Sequence, residues 1–186
     1  IYWLSALTTA LFLVPVFFII KKKLYLHISF VAILVYYIIT LAGNAMHLHI
    51  LPISENMAKS LIIIDNLLDG PLVLLFLIFF CPNLLTEKAV RYTFYVLSLF
   101  AVLMVLVNGF NKQTITVTLG PGMLFILVYA FYLFTQRIGG AFYEKNEVAF
   151  VLLLSGLLVA YTGYIIVYFF NYVLGGDNDM QSLMLL

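Results

Sequence analysis

Two aspartates, Asp65 and Asp69, stand inside an otherwise apolar stretch that runs on into Gly70-Pro71. Four residues apart, they fall on one face of an α-helix, one turn from each other. A carboxylate placed in hydrocarbon costs about 2.5–3.5 kcal/mol on insertion scales. Two like charges this close do not both stay ionised cheaply, so one holds a proton, or both face a cation or water. The chemistry open to such a pair is that of a proton relay, a counter-ion or a metal ligand. The plainer reading is a polar network with Asn44, Asn66 and tyrosines that fixes helix packing, and residue types alone leave both open. Pro71 lacks an N–H and so frees the carbonyl of Leu67 one turn back, which predicts a kink and local hydration there.

The other chemistry-bearing residues are sparse. The three histidines are His27, His47 and His49. His47 and His49 are two apart and do not share a helix face, so they do not grip one metal together; interfacial solvation is the expected state of all three. Cys81 is the only cysteine and lies at the end of an apolar run, where it reads as a small buried hydrophobe. There is no Ser/His/Asp order, no HExxH, no Cys/His metal spacing and no glycine-rich phosphate loop. Gly120-Pro121-Gly122 reads as a bend or a close-approach element.

The elements that must carry these residues are membrane helices. Of the 186 residues, 65% are hydrophobic and 9% charged, against about 25% charged in a soluble domain; the mean hydropathy is +1.15. With a net charge of +1 and no basic stripe, nucleic acid is not a partner. A span needs about 20 apolar residues. The expected spans are Trp3–Ile20, Leu24–Leu48, Ala58–Phe80, Val90–Val107, Ile115–Thr135 and Val148–Leu174. Met180–Leu186 reads as the first turns of a seventh helix, so the chain is expected to continue beyond Leu186, just as Ile1 is not expected to be a natural start. The first stretch has no basic segment before it and no small-residue cleavage motif, and reads as a retained helix. The expected fold is thus an all-α polytopic transmembrane bundle, one domain over 1–186, with six full helices plus the start of a seventh. Lys21, Lys22, Lys23, Lys88, Arg91, Arg137 and Lys145 fall on one side and Lys59 and Lys112 on the other. Positive charge marks the cytoplasmic side, which places the N-terminus outside and the chain in a cell (inner or plasma) membrane.

Asp65-Asn66-Leu67-Leu68-Asp69-Gly70-Pro71-Leu72 resembles the third helix of microbial (type 1) rhodopsins, and Asp65 matches the aspartate that serves there as Schiff-base counter-ion and primary proton acceptor. Met123-Leu124-Phe125-Ile126-Leu127 is similar to the family's fifth helix, where a methionine touches the retinal ring. Tyr161, Tyr164 and Tyr168 fall at the spacing of the aromatics that line retinal on its sixth helix. The resemblance implies retinal as cofactor, with its attachment lysine beyond Leu186, Asp65 and Asp69 as proton acceptor or counter-ion, and Met123, Tyr161, Tyr164 and Tyr168 as pocket lining. The departures are Ile62 for the usual arginine, Asn66 for tryptophan, Asp69 for threonine, Phe76 at the proton-donor position, Ile165 for the helix-six proline and tyrosines for both helix-six tryptophans. They do not support a conventional outward proton pump.

Three functions follow as expectations. The first is a retinal-binding, light-driven ion- or proton-translocating or photosensory protein, or a retinal-free relative. The second is a non-catalytic membrane subunit of a homo-oligomer or larger complex. The third is an intramembrane metal-dependent hydrolase using His47 with Asp65 or Asp69, for which zinc would need three protein ligands and an open position. Of these, enzymatic function is the least indicated.

Overall fold

The computed structural model describes residues 2–47, 55–140 and 145–170, leaving aside the side chains of 2–8, 46, 47, 55, 56, 58, 145 and 146. Over these residues the chain is all-helical: α1 (Tyr2–Lys21), α2 (Ile28–His47), α3 (Glu55–Leu77), α4 (Leu84–Asn108), α5 (Lys112–Ile138) and α6 (Lys145–Tyr168). The helices α2 to α6 are long and apolar enough to cross a membrane, and α1 adds a shorter apolar helix over Thr9–Lys21. The protein is therefore a multi-pass helical membrane protein, with five spans by this measure where six full ones are expected from sequence. The expected start of a seventh helix at Met180–Leu186 lies outside the described residues.

Helix boundaries differ from the hydropathy reading where polar caps extend the helices past their apolar runs. Asn83, in extended backbone, accepts from the Thr86 amide at 2.8 Å and starts α4 at Leu84. Asn111 accepts from the Thr114 amide at 2.9 Å and starts α5 at Lys112. Each cap satisfies an amide that the first helical turn leaves without a partner. Gly109 closes α4 at φ 77, a conformation costly for a residue with a Cβ. Lys23 adopts the left-handed region between α1 and a 3₁₀ turn at Leu24–Leu26, and His27 is extended before α2 begins at Ile28.

Two helices form the centre. α3 packs on α2, α4 and α5, while α5 packs on α3, α4 and α6; α1 lies against α2. Val73, Leu74, Leu77 and Phe80 of the α3 region and Ile115, Met123, Ile126 and Leu133 of α5 are buried. By contrast, Tyr92, Leu99, Leu106 and Val107 of α4 and Leu152, Val159 and Ile166 of α6 are exposed among the described residues, apolar faces suited to lipid chains or further helices. α3 runs through Pro71 as α-helix to Leu77, then tightens to a 3₁₀ turn at Ile78–Phe80. Beside Pro71, a cavity of about 10 Å³ touches Asn66, Leu67, Gly70, Thr118 and Gly122, the volume of roughly one water.

Gly70 and Gly122 bring the two central helices into backbone contact. A Cβ built on Gly70 would lie 3.3 Å from Gly122 Cα, and one on Gly122 would lie 3.5 Å from Gly70 Cα. Close approach through small residues is how helices gain packing energy in lipid, where burial from water contributes nothing between them. Gly70→Val is expected to force α3 and α5 apart and cost about 1–3 kcal/mol. Denaturant-induced unfolding of the purified variant in detergent measures it. Gly163→Val serves as the control, since a Cβ on Gly163 meets nothing within 4 Å among the described residues.

Beyond the aspartates, the end of the bundle that holds Arg137 is filled with rings. Phe76, Phe79 and Phe80 meet Phe30 of α2 and Phe150 of α6 in edge-to-face contacts with centroids 4.9–5.9 Å apart. His27 joins them edge-on at 5.2 Å from Phe79. Such pairs add to area burial because the positive ring edge meets the negative face. Cys81 is half-buried, with Sγ 3.7 Å from the Leu77 carbonyl. Burial above all, then the Glu87 carboxylate, pushes its thiol up to about 11.

Candidate functional site

The site is built on four helices around α3. Asp65 and Asp69 do sit one turn apart on one face of α3, and that face looks into a cavity of about 210 Å³. Its wall is Phe12 from α1, Tyr36, Thr40 and Asn44 from α2, Asp65, Asn66 and Asp69 from α3, Leu119 and Met123 from α5, and Tyr164 from α6. Half the lining residues are polar side chains other than tyrosine, an arrangement that hydrocarbon would not tolerate unless the groups faced one another or water.

The two carboxylates are held differently. Asp69 is 7% exposed and accepts a hydrogen bond of 2.8 Å from the hydroxyl of Tyr161, itself only 3% exposed. Tyr36 and Tyr164 line the same cavity as Asp69. Asp65 is half-buried and has the Thr40 hydroxyl at 3.1 Å from Oδ1. Asn66 turns its amide back to the Ile62 carbonyl at 2.8 Å. None of the described lysines, arginines or histidines lines the cavity.

Comparison of the chain with protein-family models, with curated proteins and with solved structures finds no match. The site is therefore read from its own geometry.

Of the residues picked from sequence, Asp65, Asp69, Met123 and Tyr164 share the cavity wall. Tyr161 stands behind it as the donor to Asp69, with its ring 5.6 Å from that of Tyr164. Tyr168 lies away from this wall: its hydroxyl donates to the Thr116 carbonyl at 2.5 Å, packed over Gly120 of α5. The Gly120-Pro121-Gly122 element does serve close approach, Gly120 to Tyr168 and Gly122 to Gly70. Pro71 borders the small cavity next to the site rather than the site itself. Among the described residues no three His, Cys, Asp or Glu side chains gather as a metal-ligand set. The His47 side chain and His49 lie outside the described residues.

Sequence reasoning missed Tyr36, Thr40 and Phe12. For the first two a signal existed: Tyr36, Thr40 and Asn44 recur every fourth residue along α2, which makes a polar stripe on an otherwise apolar helix. Phe12 carried none, because an aromatic on a membrane helix meets lipid or core equally well.

Chemically, the arrangement can store a proton or balance a positive group. Two carboxylates share one enclosure, with hydroxyl donors placed for each and an apolar floor of Leu119 and Met123. In a low-dielectric enclosure such a pair interacts far more strongly than in water.

Proposed function

We propose that this chain is a rhodopsin-like membrane protein of seven helices. In this reading it lies in a cell (inner or plasma) membrane with its N-terminus outside, and Asp65 and Asp69 accept a proton or balance a cationic group. Its role is photosensory or ion- and proton-transferring. The observation that carries the reading is the shared enclosure: the acid pair and the Met123 and Tyr164 side chains expected of a ligand pocket line one intramembrane cavity. Buried acids of this kind default to proton or counter-ion work, and a sealed packing network would have no need of a cavity of 210 Å³.

The carboxylates fit a protonated, positively charged group, such as the lysine nitrogen through which retinal would be held. The volume is below the roughly 300–1,000 Å³ of pockets that enclose a whole organic ligand, so the described cavity would take only the charged end, with Met123 and Tyr164 on its wall. Retinal, when bound, would supply light absorption, and the protonated nitrogen of the lysine holding it would supply the positive charge. Asp65 and Asp69 balance that charge, Tyr161 holds Asp69 in place, and the apolar residues exclude bulk water.

The test is to express the protein together with the helix expected to carry the attachment lysine, in the presence of all-trans-retinal, and record the visible spectrum of the purified protein. A visible band that shifts with pH and moves on Asp65→Asn supports the reading. Protein that stays colourless with retinal supplied throughout expression removes retinal. Proton uptake at the acid pair is then measured by itself, from the carboxyl bands in the infrared.

A further inference from the structure

Thr40 Oγ1 lies 3.0 Å from the Tyr36 carbonyl oxygen, one turn back on α2, and 3.1 Å from Asp65 Oδ1 on α3. A hydroxyl has one proton to give. When Asp65 is ionised both neighbours are acceptors, so Thr40 can serve only one of them. The carboxylate, being charged, takes that proton, and the Tyr36 carbonyl loses its side-chain partner. When Asp65 is protonated it donates to Thr40 Oγ1, and the threonine proton passes to the Tyr36 carbonyl, so that both contacts become hydrogen bonds.

We infer that Thr40 is a positioning residue that couples protonation of Asp65 to the α2 backbone at Tyr36. This rests on the reading of Asp65 as a proton-accepting group. Its consequence is mechanical: a Ser or Thr hydroxyl bonded to the carbonyl one turn back bends a helix slightly, so gain or loss of one proton on α3 changes the local shape of α2. The side chain of Tyr36 lines the cavity with Asp69 and Tyr164, so the same residue carries the change toward the second acid and α6. The titratable groups around Asp65 are Asp69 on α3, Tyr36 and Tyr37 on α2, and Tyr161 and Tyr164 on α6; α5 presents Leu119 and Met123 and α1 presents Phe12, which do not titrate. Among these neighbours only Asp69 is a second carboxyl able to compete with Asp65 for a proton.

The sequence offers a direct observable. Tyr36-Tyr37 is the only pair of adjacent tyrosines in the 186 residues. Protein carrying tyrosine labelled with carbonyl ¹³C and with ¹⁵N therefore gives one directly bonded ¹³C–¹⁵N NMR signal, that of the Tyr36 carbonyl. In the wild-type protein in lipid, this signal is expected to move with pH in step with the Asp65 carboxyl band in the infrared. In Asp65→Asn it stays fixed. Thr40→Val, which keeps the shape and removes the hydroxyl, is expected to abolish the movement. It also raises the Asp65 midpoint by about 1–2 pH units, a ten- to hundredfold change in proton affinity, because the carboxylate loses its donor. Thr40→Ser restores both.

A Tyr36 signal that ignores pH while the Asp65 band titrates overturns the coupling and leaves the acid-pair reading standing. An Asp65 band that never titrates overturns both. The wild-type measurement decides this even if Thr40→Val does not fold.

Discussion

Arg137→Ala is expected to lower the stability of the folded bundle by about 3 kcal/mol, because a mostly buried side chain with several charge-assisted hydrogen bonds is lost and such bonds contribute about 1.5–3 kcal/mol. The Arg137 guanidinium pairs with Glu147 Oε1 and donates to the Phe80 carbonyl through Nε at 3.3 Å and Nη2 at 3.0 Å. It also lies 5.0 Å from the ring centre of Phe150. One side chain at the end of α5 thereby fastens the end of the α3 region and the start of α6. It supplies the donor that the Phe80 carbonyl lacks at a helix terminus. Arg137 and Glu147 are 17% and 16% exposed, and Glu147 Oε2 has no hydrogen-bond partner among the described residues. Removing Arg137 therefore leaves a mostly buried carboxylate without the partner it has among the described residues. Arg137→Lys keeps the charge but not the fork that reaches two acceptors, and is expected to recover only part of the loss. The internal comparison is Arg91→Ala, whose partner Glu87 lies one turn away on α4 with both side chains about a third or more exposed. Pairs of that kind contribute about 0–1 kcal/mol. Unfolding of all three variants in the same detergent, followed by helix content, measures the ranking. Equal losses for Arg137→Ala and Arg91→Ala would show that the three-helix joint contributes nothing special.

The second large effect is on function rather than stability. Asp65→Asn combined with Asp69→Asn is expected to remove all proton-linked behaviour of the site while the protein remains folded. Asparagine keeps the shape and still accepts from Thr40 and Tyr161, but it cannot ionise. An ionisable group inside a membrane protein costs insertion free energy that a neutral amide does not, so unfolding in detergent is expected to be unchanged or to require slightly more denaturant. Infrared difference spectra between acid and alkaline pH then lose the carboxyl bands of the site. Any pigment formed with retinal loses its pH-dependent shift. A double variant that retains both the bands and the shift would place the proton chemistry elsewhere in the chain. One that fails to fold would make the acids structural.

Much of the helical framework was legible in the sequence alone. Length and hydropathy located α2 to α6 because a chain in lipid must satisfy every backbone amide and carbonyl within itself, and a helix is the local way to do so. The ends were less legible. The apolar run of α4 suggested a start near Val90, yet the helix begins at Leu84, since Asn83 caps it from outside the run. The same holds for Asn111 and α5. Both asparagines were visible as capping types, but hydropathy does not weigh them. The four-residue spacing of Asp65 and Asp69 put them on one face, and the cavity lies on that face.

What the sequence by itself determined is therefore local: which stretches are helices, and which polar residues within each helix share a side. The tertiary structure alone decided which sides meet. Tyr161 reaches Asp69 across 92 residues of sequence, Arg137 reaches Phe80 across 57, and Thr40 reaches Asp65 across 25. It also separated two tyrosines of one apparent set, placing Tyr164 on the cavity and Tyr168 on Gly120. The physical reason is that lipid and protein core are equally apolar. A membrane helix carries little record of which face turns inward, and only the packing of its neighbours supplies it.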